Sequence, residues 1–335
     1  MYRAALIGLG HMGRHHLRVL NEHPEYELCA VVDPQVQQLP PAVTAPLLSD
    51  ISQLDLDALD VIVIAAPTAT HLTVMRSLER FKGHVLIEKP VCETVAEGIA
   101  LSEIFDTSRL RVGHVERFNP VVVKLKEVLR AGHLGHVVHV SFTRVGGFPR
   151  SIQNSGSVIV DLAVHDIDLF NWAFGKPVLV GSAAHAHKPE KGHAPAVHTA
   201  DILLKSTSGV TASVHCSWIT PTKMRGIRIT GTNGTCFVDL IAQTCTVHTG
   251  GITAASQLPA VDEITFGQFV AYSSVHDTIE FGIVRTEPLV AQLNGFAQFL
   301  RGEPSPCATY DEAMLALRVA EEAMKKGENL LDAAE

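Results

Sequence analysis

The apolar run Ala4-Ala-Leu-Ile7 leads straight into Gly8-Leu9-Gly10-His11-Met12-Gly13, and a helical pattern from Met12 to Leu20 follows. In that strand, turn and helix each glycine has its own reason. The first allows the tight turn, the second lets backbone approach a pyrophosphate, and the third brings helix close to strand. The N–H groups opening the helix favour negative charge beside them. Asp33 closes the next apolar run, Leu28 to Val32, about 20 residues beyond Gly13, where a carboxylate accepts hydrogen bonds from a ribose diol. The same carboxylate repels a 2′-phosphate, and Pro34 and Gln35 follow it rather than an arginine. The pattern predicts a dinucleotide, NAD in preference to NADP, on Gly8, Gly10, His11, Met12, Gly13 and Asp33.

The first 115 or so residues repeat this alternation. Val61 to Ala66 and Val85 to Glu88 read as further strands, with Thr70 to Phe81 and Val95 to Phe105 as helices and a Pro-rich irregular stretch after Asp33. Apolar runs without alternation belong to strands buried on both faces of a parallel sheet. From His136 the texture changes. His136 to Arg144, Val210 to Trp218, Arg225 to Thr230 and Cys236 to Leu240 alternate, and Thr232-Asn233-Gly234 supplies a turn. Strands in succession predict a largely antiparallel sheet with one face covered and one face open to a partner. One helix, Val158 to Ala173, interrupts this half, and Leu289 to Leu300 and Asp311 to Lys325 end the chain as helices. A chain of 335 residues exceeds the roughly 250–300 that one core supports, so two domains are expected.

Composition narrows the function. The net charge of -8 argues against a nucleic-acid binder, which needs a basic face, but leaves an anionic small substrate open. No apolar run is long enough for a membrane span. The six cysteines are scattered without ligand spacing, and no leader pattern precedes the first strand, so reduced thiols in the cytoplasm are expected. Four of the eighteen histidines, His185, His187, His193 and His198, fall in one stretch with no carboxylate or thiolate at ligand spacing. A solvated loop and no metal are expected there.

Two segments carry candidate chemistry. Glu88-Lys89-Pro90 ends a parallel strand, where ligands bind in open α/β sheets, and a lysine there can stabilise negative charge on a substrate oxygen. Taken alone, it is only a charged strand end before a proline. Asp161, His165 and Asp168 are spaced i, i+4, i+7 in an apolar helix, so all three share a face. A polar stripe on a buried helix is costly unless paired or facing a cavity. Asp161 is placed to orient His165 as a general base, Asp168 to meet substrate or nicotinamide, and Asp166 to point elsewhere into solvent. A helix cap and a satisfied core histidine are the plainer readings.

Gly8 to Gly13, Asp33, Pro67-Thr68 with His71, Glu88-Lys89-Pro90, Arg117-Phe-Asn119-Pro120 and Asp161 with His165 together resemble the Gfo/Idh/MocA oxidoreductases along essentially the whole chain. The resemblance implies a Rossmann domain over 1–118 and, over 119–335, a substrate-binding α+β domain on a large open, mainly antiparallel sheet that joins subunits into a homodimer or homotetramer. The C-terminal helices are free to pack back on the first domain. It implies a catalytic set on Lys89, Asp161 and His165, and cofactor contacts from Ala66, Pro67, Thr68, His71 and Glu88. The stretches Gly113 to Pro120, Arg144 to Arg150 and Asp161 to Asp168 are similar to the branch containing UDP-N-acetylglucosamine 3-dehydrogenases. Arg117, Arg144 and Arg150 would offer charge-assisted hydrogen bonds to a diphosphate, with Asn119 and Asp168 nearby as substrate contacts. Their plainer reading is pairing with local carboxylates. A ring-hydroxyl dehydrogenase of a nucleotide sugar is expected. A dehydrogenase of a free pyranose or cyclitol, a redox cycle that cleaves glycosidic bonds, and a non-catalytic dinucleotide sensor are the alternatives.

Overall fold

The computed structural model describes residues 1–146, 157–187, 196–250 and 277–332. The chain falls into two compact units, Met1–Phe118 with Thr286–Glu321, and Asn119–Arg285 with Glu322–Glu335.

The first unit begins β1 (Tyr2–Ile7), α1 (His11–Glu22), β2 (Tyr26–Val32), β3 (Leu47–Leu48), β4 (Val61–Ile64), α2 (His71–Ser77), β5 (His84–Glu88), α3 (Val95–Ile104) and β6 (Leu110–Gly113). The six strands pair in parallel in the order β3-β2-β1-β4-β5-β6. Successive residues of β1 serve opposite faces, as the two-residue strand period requires. Ala4 and Leu6 join one core with Leu17 and Leu20 of α1, while Ala5 and Ile7 join another with Met75 of α2 and Leu101 of α3. This is why the run is apolar throughout. α2 is shorter than its pattern predicts: it stops at Ser77, and Leu78 and Phe81, both buried, complete the apolar set in the turn beyond.

The second unit holds α4 (Pro120–Arg130), β7 (Val137–Val145), α5 (Val164–Phe174), β8 (Pro177–His187), β9 (Ala196–Ser206), β10 (Thr211–Ser217), β11 (Met224–Gly231), β12 (Gly234–Asp239), β13 (Thr244–Thr249) and β14 (Thr278–Phe281). They form an eight-stranded sheet, β14-β13-β12-β11-β7-β10-β9-β8, antiparallel except for β10 beside β7. One face is covered: Val140, Phe142, Ala212, Val214, Ile227 and Val238 are buried, and α4 and α5 pack against the sheet. On the alternate positions Leu203 and Phe237 are 51% and 45% exposed among serines and threonines. The expectation of a solvated histidine loop is corrected in part, because His185 and His187 lie in β8 and His198 in β9, paired strands of the sheet. His193 lies outside the described residues.

The chain then returns to the first unit with α6 (Pro288–Leu300), β15 (Ala308–Thr309) and α7 (Tyr310–Asp332), whose residues from Glu322 on belong to the second unit. β15 pairs antiparallel with β6 and extends the first sheet, while α6 adds Leu293 and Phe296 to the core beneath α1.

Candidate active site

In the first unit, the turn after β1 is built by steric exclusion. Gly8 has φ +94°, and a Cβ on it would stand 2.5 Å from the Ala66 nitrogen at the end of β4. A Cβ on Gly13 would stand 2.0 Å from the Gly8 carbonyl oxygen, so only glycine lets α1 lie this close to the strand. A Cβ at Gly10 would meet open space, which is the room a pyrophosphate needs. His11 is exposed and Met12 half-buried in the first turn of α1. Asp33 Oδ2 accepts the Leu9 N–H at 2.7 Å, and its Oδ1 accepts those of Gln35 and Val36 at 2.8 and 3.0 Å. The carboxylate thereby fixes the ends of β1 and β2 together while staying half-exposed. Open space at Gly10 and an accessible carboxylate at Asp33 fit a dinucleotide. A cleft of about 680 Å³ opens elsewhere in this unit, along Arg14, Leu17 and Arg18 of α1 and the irregular segment Val36 to Val43; of the glycine turn it touches only Leu9.

At the same sheet edge His71 is fully buried, with Nδ1 3.1 Å from the Val91 carbonyl and Nε2 3.0 Å from that of Ala66. Burial holds its pKa below the ordinary histidine value against the pull of those carbonyls. It thus ties the Ala66-Pro67-Thr68 turn to the segment that follows Lys89. Glu88 is buried at the end of β5, its Oε1 2.7 Å from His16 Nε2 and its Oε2 accepting the Lys89 N–H at 3.2 Å. Burial pushes the Glu88 carboxyl up, and the His16 hydrogen bond, the His16 charge and the Lys89 ammonium outweigh that, holding it below the carboxylate range. Lys89 itself is half-buried. His16 was not among the residues expected at this edge.

In the second unit, the helix expected over Val158 to Ala173 opens with a π turn, Ile159–Ala163, before α5. Asp161 sits in the wide turn and His165 at the start of α5, so the i, i+4, i+7 face of a continuous α-helix does not describe them. Asp161 accepts a hydrogen bond from the indole N–H of Trp218 at 3.3 Å, from 57 residues away. Asp161 and His165 are half-buried, and Asp168 is buried. Asp166, expected in solvent, is instead buried against Arg144 of β7, whose Nε and Nη2 lie 2.8 to 3.0 Å from its two oxygens.

Three of the residues expected to meet substrate are held by other work. Arg117, 1% exposed, donates to Glu312 at 3.1 Å and to the Pro306 carbonyl at 3.4 Å. Arg144, 3% exposed, is engaged with Asp166. Asn119 caps α4, its Oδ1 accepting the Val121 N–H at 3.3 Å, and donates from Nδ2 to the Leu240 carbonyl at 3.0 Å. Arg117 and Arg144 are thus each paired with a carboxylate, half-buried at Glu312 and buried at Asp166, as the plainer reading of both had it. Arg150 lies outside the described residues. Among those described, no group of three or more His, Cys, Asp or Glu is arranged to hold a metal, the six cysteines are free thiols, and no helix is long and apolar enough to cross a membrane.

A parallel sheet with a glycine turn where its strand order reverses, an acid after β2 and a lysine just past β5 defines a dinucleotide-binding class of protein. The model of the oxidoreductase family with an NAD-binding Rossmann fold matches residues 2–114, and that of the GFO/IDH/MocA C-terminal domain matches residues 122–237. The chain belongs to the Gfo/Idh/MocA family, NAD-dependent oxidoreductases acting on hydroxyl groups of sugars and cyclitols. It is similar to scyllo-inositol 2-dehydrogenase (NAD(+)) of Bacillus subtilis, 26% identical over 70% of this chain and 73% of that one. It is also similar to UDP-N-acetylglucosamine 3-dehydrogenase of Acidithiobacillus ferrooxidans, 27% identical over 77% of this chain and 80% of that one. A solved structure of the latter enzyme has a TM-score of 0.78 at 20% identity, covering 98% of this chain and 99% of its own.

Proposed function

We propose that this oxidoreductase removes hydride from a ring carbon of a sugar, at C3 of a nucleotide-linked hexose such as UDP-N-acetylglucosamine. Lys89 carries the reading: a half-buried ammonium at the carboxyl end of β5, on the same sheet edge as the glycine turn. NAD, when bound, supplies the hydride acceptor. His165 takes the hydroxyl proton, Asp161 orients its imidazole, and Lys89 stabilises the charge developing on the oxygen as the carbonyl forms. Similarity to the Acidithiobacillus enzyme across most of both chains supports the nucleotide sugar. The open sheet face, with Leu203 and Phe237 exposed, supports association into a homodimer or homotetramer.

A second reading, a free cyclitol as substrate, is favoured by the engagement of Arg117 and Arg144 in ion pairs with Glu312 and Asp166, which takes two cations from a diphosphate. NADH formation measured with UDP-N-acetylglucosamine, myo-inositol and scyllo-inositol separates the two. In the enzyme's preferred assay, Lys89→Ala is expected to lower turnover about 10²–10³-fold, the scale for losing an electrostatic stabiliser, with NAD affinity nearly unchanged. Wild-type turnover in that variant would remove Lys89 from the reaction. No NADH from any sugar or cyclitol would leave a dinucleotide sensor.

A further inference from the structure

We infer that His16 is a positioning residue for Lys89, acting through Glu88 to fix the strand end from which the ammonium departs. The inference rests on the reading of Lys89 given above. His16 lies on α1, three residues beyond Gly13, and is fully buried. Its Nε2 meets Glu88 Oε1 at 2.7 Å, and its Nδ1 is buried with no hydrogen-bond partner among the described residues. Glu88 is therefore the one polar anchor this imidazole has there. The other carboxylate oxygen turns back to the Lys89 N–H, so a single carboxylate couples the glycine-turn helix to the backbone of the lysine.

The surroundings are shaped around that carboxylate. A Cβ on Gly113, its cross-strand neighbour on β6, would stand 3.1 Å from its atoms, so a larger residue there would press on the couple. The titratable groups acting on Glu88 are His16 from α1, Lys89 from its own strand end and His71 from α2, while β6 presents only the glycine. A buried imidazole–carboxylate couple is weak as a source of stability, since well-packed apolar side chains of similar volume often do as well. What it supplies is a fixed register between the helix that opens on the pyrophosphate and the strand that ends on the lysine. A change at His16 therefore reaches the reaction without His16 touching either ligand.

The test uses the full chain with its lysines reductively methylated with ¹³C-formaldehyde, and Lys89→Ala to assign the Lys89 signal. Turnover is measured in parallel with NAD and UDP-N-acetylglucosamine or myo-inositol. His16→Gln and the near-isosteric Glu88→Gln are each expected to move the Lys89 methyl resonance. Each should lower kcat about tenfold, His16→Gln with NAD affinity within about twofold, and the double variant should be no worse than the poorer single one, as for residues that act as a unit. An unmoved Lys89 resonance in Glu88→Gln, or losses that multiply in the double variant, would overturn the inference even if melting temperatures fall. Should Lys89→Ala keep wild-type turnover while the Lys89 signal still moves in both variants, the catalytic reading fails and the positioning stands.

Discussion

Gly8 and Gly13 show how little freedom a single position has at this turn. Gly13→Ala places a methyl group 2.0 Å from the Gly8 carbonyl, and neither partner is a flexible side chain that can swing away. The variant is expected to lose about 2–4 kcal/mol, in the range of overpacked and strained sites, and to bind NAD at least tenfold more weakly. Thermal melts and NAD titration check both; retention of full affinity would mean that α1 can slide back from the strand. These glycines were readable because their spacing is local. His16 was not. It occupies the buried stripe of α1 that Gly13, Leu17 and Leu20 define, three residues past the last glycine, and that placement was the only available signal. Arg117 and Arg144 failed the other way. Their charge was plain, but the carboxylates that claim them lie 195 and 22 residues off, at Glu312 and Asp166, and Trp218 lies 57 residues from Asp161.

Between elements, the same ion pairs become fasteners. Glu312, in the first turn of α7, holds Arg117 from the short turn Val115–Phe118, and accepts the Thr309 N–H of β15 at 2.9 Å. Burial pushes its carboxyl up, and the Arg117 charge and the Thr309 hydrogen bonds outweigh that, leaving it below the ordinary value of 4.5; Glu88 is lowered likewise. A depressed carboxyl contributes stability that is complete above its unfolded pKa and lost as pH falls through the folded one. The melting temperature should accordingly drop between about pH 5 and pH 3, and Glu312→Gln should show a shallower drop from a lower starting point. Parallel slopes would mean that the pair contributes nothing to the pH dependence. The strands and helices themselves were largely legible, since burial on two faces writes a continuous apolar run and burial on one face writes alternation. The π turn at Ile159–Ala163 was not, because its residues fit a 3.6 period as well as a wider one. β8 and β9 were missed in part because their histidines read as polar loop.

For the molecule as a whole, the first unit is discontinuous in sequence. Leu289, Leu293 and Phe296 of α6 complete one of its cores, Met314 and Leu317 of α7 the other, and β15 covers the edge of β6. Each such side chain contributes about 1.5–3 kcal/mol by burial, so the five together rival the roughly 5–15 kcal/mol margin of a folded domain. A chain ended after Arg285 is expected to lose NAD binding and cooperative melting of this unit, as seen by dinucleotide titration and calorimetry. A truncated chain that still bound NAD with native affinity would show the closing segment to be ornamental.

Discontinuity also sets a timetable in the cell. At about 5–20 residues per second, synthesis of residues 119–285 occupies on the order of ten to thirty seconds after the sixth strand has left the ribosome. Through that interval the nascent nucleotide-binding half has a bare sheet margin and an unfilled apolar trough. Chaperone engagement should therefore peak midway through translation and fall once the final fifty or so residues emerge.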